Sequence, residues 1–276
     1  MQIFHAIVLG IVEGITEFLP ISSTGHLTIV ESLLGYKTDS PAITAFTAVV
    51  QIGAIAAAVW YFRSDILRVA TAWVAGVMSP LKRRNTDYRM GWYVIIGTVP
   101  VAVVGLLFKH AIESSLRGLT VVALGLILWS FVLLWADKKA TEQRQEVSLR
   151  WQDALFVGMM QCVSLIPGVS RSGATIAAGL LRGIDRVTAT RMSFFLGIPA
   201  LLAAGTLQAF TQVKNISEHV GWGSMIVGIV AAYVVGYLSI AWLIRFVSHH
   251  DFTVFVWYRI GLGLLILLLV AGGVMG

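Results

Sequence analysis

The sequence predicts an all-α polytopic membrane protein with an inverted-topology repeat, each half contributing one re-entrant helical hairpin plus three transmembrane helices. Three observations lead there. Hydrophobic residues make up 57% of the 276, and charged residues only 12%. The mean hydropathy is +0.83, too apolar for a soluble globule of this length. Six apolar runs are long enough to cross about 30 Å of hydrocarbon. Finally, sliding the chain on itself by 148 residues lays Gly158–Gly183 over Gly10–Gly35 without a gap, matching Gly10/Gly158, Ser22/Ser170, Gly25/Gly173, Leu33/Leu181 and Gly35/Gly183. Such a match is expected of membrane proteins assembled from two related halves.

Residues 3–20 are mostly apolar, with Glu13, Thr16 and Glu17 inside the run, and Pro20 followed by Ile21-Ser22-Ser23-Thr24-Gly25 breaks the helix before it can cross. The chain is expected to re-enter, restart a helix near Ser23 and end it at Gly35. Spans follow at about 42–62, 92–109 and 118–136, and Ile66 to Met78 forms an interfacial amphipathic helix. A polar linker, 137–150, separates half 1–136 from half 151–276 within a single membrane domain. The second half repeats the order: a broken segment at 151–183, then spans at about 191–209, 222–244 and 253–274. Three spans per half is an odd number, so the second half sits upside down and the two hairpins meet inside.

Fourteen of the twenty Lys and Arg fall in 63–90, 137–150, 182–191 and 245–252, while Lys37, Lys109, Arg117 and Lys214 fall on the other face. The positive-inside rule assigns the basic face to the cytoplasm and puts both termini and the site's opening outside. The net charge of +6 is explained by topology and anionic lipid, so nucleic acid is not an expected partner. The first apolar stretch has no basic leader and holds Glu13 and Glu17, which reads as part of the mature fold. The single Cys162 excludes an internal disulfide and suits inert packing.

Two stretches carry chemistry. Pro167-Gly-Val-Ser-Arg-Ser-Gly-Ala-Thr175 interrupts apolar sequence with glycines, hydroxyls and a cation that stays protonated. It suits phosphate, with Arg171, Ser170, Ser172, Gly173 and Thr175 around the anion at the start of a helix. In the aligned first copy, Ser22 and Thr24 take the equivalent places, and Ser23 faces Arg171. Glu13 and Glu17, one helical turn apart, either share a proton or ligate a divalent cation through oxygen. His26 lies close enough after the turn to join Glu17 and Ser23 in nucleophilic or acid–base work.

Glu13-Gly-Ile-Thr-Glu17-Phe-Leu-Pro-Ile-Ser-Ser-Thr-Gly-His26 and Pro167–Thr175 closely resemble the two signature motifs of the bacterial undecaprenyl-diphosphate phosphatase family, the bacitracin-resistance type. The resemblance covers the chain in length and span order. It implies a plasma-membrane enzyme that removes one phosphate from the C55 isoprenoid diphosphate and regenerates the monophosphate carrier for cell-wall synthesis. Carried onto this sequence it points to Glu17, Ser23, His26 and Arg171 as the catalytic group. It supports dependence on a divalent cation, Mg or Ca, without fixing the ligands, for which the Glu13 and Glu17 pair is the candidate, and no organic cofactor is expected. Expected partners are a polyprenyl diphosphate, membrane lipids and a second copy of the chain as a homodimer. Ser23, His26 or an activated water could attack phosphorus, and Glu17 and His26 could exchange roles. A transporter or flippase of a lipid phosphate is the alternative, since secondary transporters share this architecture.

Overall fold

A computed structural model describes residues 1–36, 40–108 and 118–273. Among them the chain is helical, with no strand beyond an isolated bridge between Arg144 and Ile184. Helix α1 (Ile3–Thr16) is followed by α2 (Ser23–Leu33), α3 (Pro41–Tyr61), α4 (Arg63–Met78), α5 (Thr86–Leu107) and α6 (Leu119–Lys139). The second half holds α7 (Trp151–Val163), α8 (Arg171–Leu181), α9 (Arg186–Thr211), α10 (Trp222–Val247) and α11 (Thr253–Ala271).

Six of these, α3, α5, α6, α9, α10 and α11, are long and apolar enough to cross a membrane. With that count, the chain is a multi-pass membrane protein. Two spans begin earlier than hydropathy suggests, because polar caps start them: Asn85 accepts from the Asp87 amide before α5, and Asp185 accepts from the Thr188 amide before α9. Gly35 at φ 78° ends α2, with the Tyr36 amide donating back to the Glu31 carbonyl.

The short helices α1, α2, α7 and α8, of 14, 11, 13 and 11 residues, are too short to span, at about 1.5 Å per residue. Their ends are fixed by contacts. The Met1 amine donates to the Val220 carbonyl (3.1 Å), Ser224 donates to the Met1 carbonyl (2.8 Å), and His5 bonds Tyr36 (2.8 Å), gathering the starts of α1 and α10 and the end of α2. At the other end Arg191 pairs with Asp65 (2.9 Å), Arg186 with Asp137 (2.8 Å) and Arg182 with Asp153 (2.7 Å), and the Phe252 amide donates to Asp137. These bonds tie 63–90, 137–150, 182–191 and 245–252 into one basic end, where α7 begins. Lys37, Lys109 and Arg117 lie outside the described residues.

Close helix crossings bring each half against the other. Gly10 on α1 meets the Gly228 backbone on α10, and Gly158 on α7 meets the Gly97 backbone on α5. Gly10 and Gly158 are the pair matched in the repeat. In both places a Cβ would collide with a carbonyl oxygen, so glycine is what lets the backbones touch where apolar burial between helices supplies little drive.

Replacing Gly158 by Ala places a methyl 2.7 Å from the Gly97 Cα and should destabilise the protein by about 1–3 kcal/mol through overpacking. Gly223→Ala, where nothing lies within 4 Å, should not. Thermal unfolding of the two variants in detergent checks this: equal midpoints would mean that the crossing adapts.

Candidate active site

Both helical pairs are broken in the same way. Helix α1 ends before Pro20 and α7 before Pro167, since proline lacks an N–H and disfavours helix in the residue before it. Ser22 and Ser170, the matched serines, both take φ 74°, a left-handed conformation costing a non-glycine residue roughly 1–3 kcal/mol. Each then caps the next helix: Ser22 Oγ accepts from the Gly25 amide (3.5 Å) and Ser170 Oγ from the Gly173 amide (3.2 Å). Helices α2 and α8 therefore start at equivalent residues, Ser23 and Arg171, with their free N–H groups toward the same space.

The two breaks are fastened together inside the protein. Ser172 Oγ donates to the Leu19 carbonyl (3.0 Å), and fully buried Arg259 of α11 reaches both turns. Its guanidinium donates to the carbonyls of Pro20 (2.9 Å), Gly168 (3.1 Å) and Val169 (2.9 Å) and, through Nε, to Ser130 Oγ (2.9 Å). Sequence reasoning passed over Arg259. Its signal was available: an arginine inside the apolar run 253–274 needs an internal partner.

At the junction, Glu17 holds both halves. Its Oε2 accepts from Ser23 Oγ at 2.9 Å and its Oε1 from Arg171 Nη2 at 3.3 Å. Arg171 Nη1 donates to the Ser193 carbonyl at 3.0 Å, and the guanidinium runs across Gly197, where a Cβ would occupy the same space. A cavity of about 510 Å³ opens here. Its polar end holds Glu17, Ser22, Ser23, Thr24, Ser170 and Arg171; its apolar sleeve comes from Val101, Ala102 and Leu106 of α5 and Pro199, Ala200 and Ala203 of α9. Leu106 is 71% exposed on the outer face. A second cavity of about 460 Å³ meets the first at Glu17, Ser23 and Thr24, and is lined instead by Glu13, Glu31, Thr28, Thr44 and Thr47.

The remaining sequence-predicted residues divide. Ser172, Gly173 and Thr175 are buried behind the cavity wall: Thr175 Oγ1 donates to the Arg171 carbonyl (2.8 Å) and lies in hydrogen-bond contact with Ser193 Oγ (2.6 Å), so they brace the turn that presents Arg171. His26 sits one turn along α2 on the α11 side, its Nδ1 2.8 Å from the Ser22 carbonyl and its Nε2 2.6 Å from the Tyr258 hydroxyl. It lines neither cavity. Glu13 is buried beside Glu17 on the wall of the second cavity, facing Glu31, another acid not foreseen from sequence.

Among the described residues no three His, Cys, Asp or Glu are gathered to hold a metal ion. Two carboxylates beside a polar cavity nonetheless fit a hard cation that takes its other oxygens from phosphate and water. Gln51, Gln161 and Gln208 also border the junction. Amides do not stand out in sequence as ionisable groups do.

Chemically, the junction offers a hydroxyl in hydrogen-bond reach of a carboxylate, a guanidinium opposite it, and two helix starts for an anion.

The chain is similar over its length to proteins that carry one name. It is 52% identical to Undecaprenyl-diphosphatase 3 of Frankia casuarinae over 99% of each chain. It is 53% identical to the undecaprenyl-diphosphatase of Acidothermus cellulolyticus over 92% of each, and 51% identical to that of Cutibacterium acnes over 99% of each. Residues 6–265 match the family described as bacitracin resistance protein BacA, and to that family the chain belongs.

Proposed function

We propose that this chain is an integral membrane phosphatase that hydrolyses undecaprenyl diphosphate to undecaprenyl phosphate and inorganic phosphate, recycling the carrier lipid for peptidoglycan synthesis and conferring bacitracin resistance. The names of its relatives support the substrate. The observation that carries the chemistry is Glu17, bonded at once to Ser23 and Arg171.

In this reading the diphosphate lies at the polar end of the cavity, its terminal phosphate between Arg171 and the start of α2, and the isoprenoid follows the sleeve between α5 and α9 toward lipid. Ser23 Oγ attacks the terminal phosphorus as Glu17 takes its proton. The bond to the bridging oxygen breaks, polyprenyl monophosphate departs, and Glu17 returns the proton to the departing phosphate. Glu17 then takes a proton from water, which attacks the phosphoserine, breaks the Oγ–P bond and releases inorganic phosphate while the proton returns to Ser23. Arg171 and the helix N–H groups stabilise charge on the equatorial oxygens, the main demand of phosphoryl transfer. A Mg or Ca ion at Glu13 and Glu17 would add further neutralisation of the phosphate oxygens. His26, held by Ser22 and Tyr258, steadies the turn that carries Ser23. A lipid-phosphate carrier would need the cation but has no use for the Ser23–Glu17 pair.

The architecture belongs to the same reading. The matched breaks at Ser22 and Ser170, and the matched crossings at Gly10 and Gly158, support two re-entrant hairpins related by inverted repeat. With the basic end cytoplasmic in the plasma membrane, the second cavity, toward the Tyr36 end, faces outside and admits water. A cysteine at Lys214 should then be labelled by an impermeant thiol reagent on intact cells and one at Arg84 should not; the reverse would invert the assignment.

Purified protein given an isoprenyl diphosphate should release phosphate. Ser23→Ala should abolish turnover while leaving substrate binding largely intact, and Ser22→Ala should cost much less, roughly 1 kcal/mol for a cap. If Ser23→Ala keeps a tenth of the rate, Ser23 is not the attacking group. Gly197→Ala, which intrudes on the guanidinium, should lower kcat/KM on the order of 10² with the fold retained, as for loss of one preorganised donor. Unchanged kinetics would mean that the seat of Arg171 is unimportant.

A further inference from the structure

Gln161 is a buried polar side chain that the proposed phosphoryl transfer leaves unused. It sits on α7, fully enclosed, and among the described residues neither its Oε1 nor its Nε2 has a hydrogen-bond partner. A buried carboxamide left in this state costs about 1–3 kcal/mol, so a partner is expected in the working protein. Gln161 lines the cavity that holds Arg171, together with Ser164 and Leu165 of the turn just past the end of α7. Arg171 Nε, in the same cavity, is also without a partner among the described residues. Two unused donors therefore border the space assigned to the diphosphate.

Their position separates the two phosphates. The polar cavity shared by Glu13 and Glu31 includes Ser23 and Glu17 but neither Gln161 nor Arg171, whereas the apolar-sleeved cavity holds all four of Ser23, Glu17, Gln161 and Arg171. With the terminal phosphate at Ser23, the phosphate joined to the isoprenoid lies farther into the sleeve, on the Gln161 side. The repeat gives a chemical reason for an amide here: Gln161 matches Glu13 of the first half. A carboxylate at this place would repel the anion, while an amide of nearly the same shape donates to it.

We propose that Gln161 is a substrate-binding residue whose side-chain amide donates to the phosphate that remains on the lipid. The assignment rests on the diphosphate reading above. It makes Gln161 a ligand of substrate and of monophosphate product alike, hence a determinant of KM more than of kcat.

Gln161→Met keeps the length of the side chain and removes its polar atoms. In purified protein it should raise KM for an isoprenyl diphosphate and weaken inhibition by the isoprenyl monophosphate by the same factor, roughly ten- to hundredfold for one hydrogen bond to a charged group. The kcat should stay within about twofold, and thermal stability should hold or rise. Gln161→Glu, shaped as the wild type, should be the more damaging of the two to KM; it also serves if the Met variant is poorly folded. Unchanged KM and product inhibition in either folded variant would overturn the proposal and leave Gln161 a packing residue. Arg171→Ala in the same series separates the two levels: if it too is without effect, the diphosphate reading fails. If Arg171→Ala abolishes turnover while Gln161→Met changes nothing, only the role of Gln161 falls.

Discussion

Everything at the centre of this protein depends on keeping two unwound segments of backbone satisfied where bulk water is scarce. Carbonyls at a helix break cannot be left bare inside a membrane protein, each costing several kcal/mol. Arg259 meets that demand from a third helix, its guanidinium holding Pro20 of one break and Gly168 and Val169 of the other. A rigid planar fork with five donors can serve several carbonyls at once, which a lysine ammonium cannot do with the same geometry. Its partners among the described residues are neutral oxygens rather than a carboxylate, so the positive charge adds to a field that favours an anion nearby.

Given that fastening, divergence between the halves explains the site. Matched serines at φ 74° give both turns one backbone shape, and the side chains that follow differ: a hydroxyl from Ser23, a guanidinium from Arg171. Glu17, whose counterpart is Leu165, joins them. In the proposed mechanism one half supplies nucleophile and base and the other supplies the cation. Neither half alone contains the constellation, and its pieces are held at helix ends, Glu17 at the end of α1 and Ser23 and Arg171 at the starts of α2 and α8, which limits the reorganisation needed when charge develops.

Much of this was legible in the sequence because it is local or periodic. The spans follow from long apolar runs, and the breaks follow from Pro20 and Pro167 beside serine and glycine. The gapless offset of 148 residues correctly pairs Ser23 with Arg171 as the first residues of α2 and α8. The rest is long-range. Arg259 bonds to backbone carbonyls up to 239 residues away, and a carbonyl acceptor leaves no mark on residue identity. His26 was expected beside Glu17 and Ser23, yet its ring is oriented by Tyr258, 232 residues on. Ser172 and Thr175 looked like phosphate ligands beside Arg171, but helical phase turns them inward, where they bond Leu19 and Ser193.

The central claim is that Ser23, with Glu17 as its base, attacks the terminal phosphorus opposite Arg171. Two in-line displacements, first by Ser23 and then by water, each invert the configuration at phosphorus and together restore it. The most direct measurement is therefore the stereochemical course at a terminal phosphorus made chiral with sulfur and oxygen isotopes in an isoprenyl diphosphate analogue. The account predicts net retention in the released thiophosphate; net inversion would mean that water attacks phosphorus directly and would contradict it.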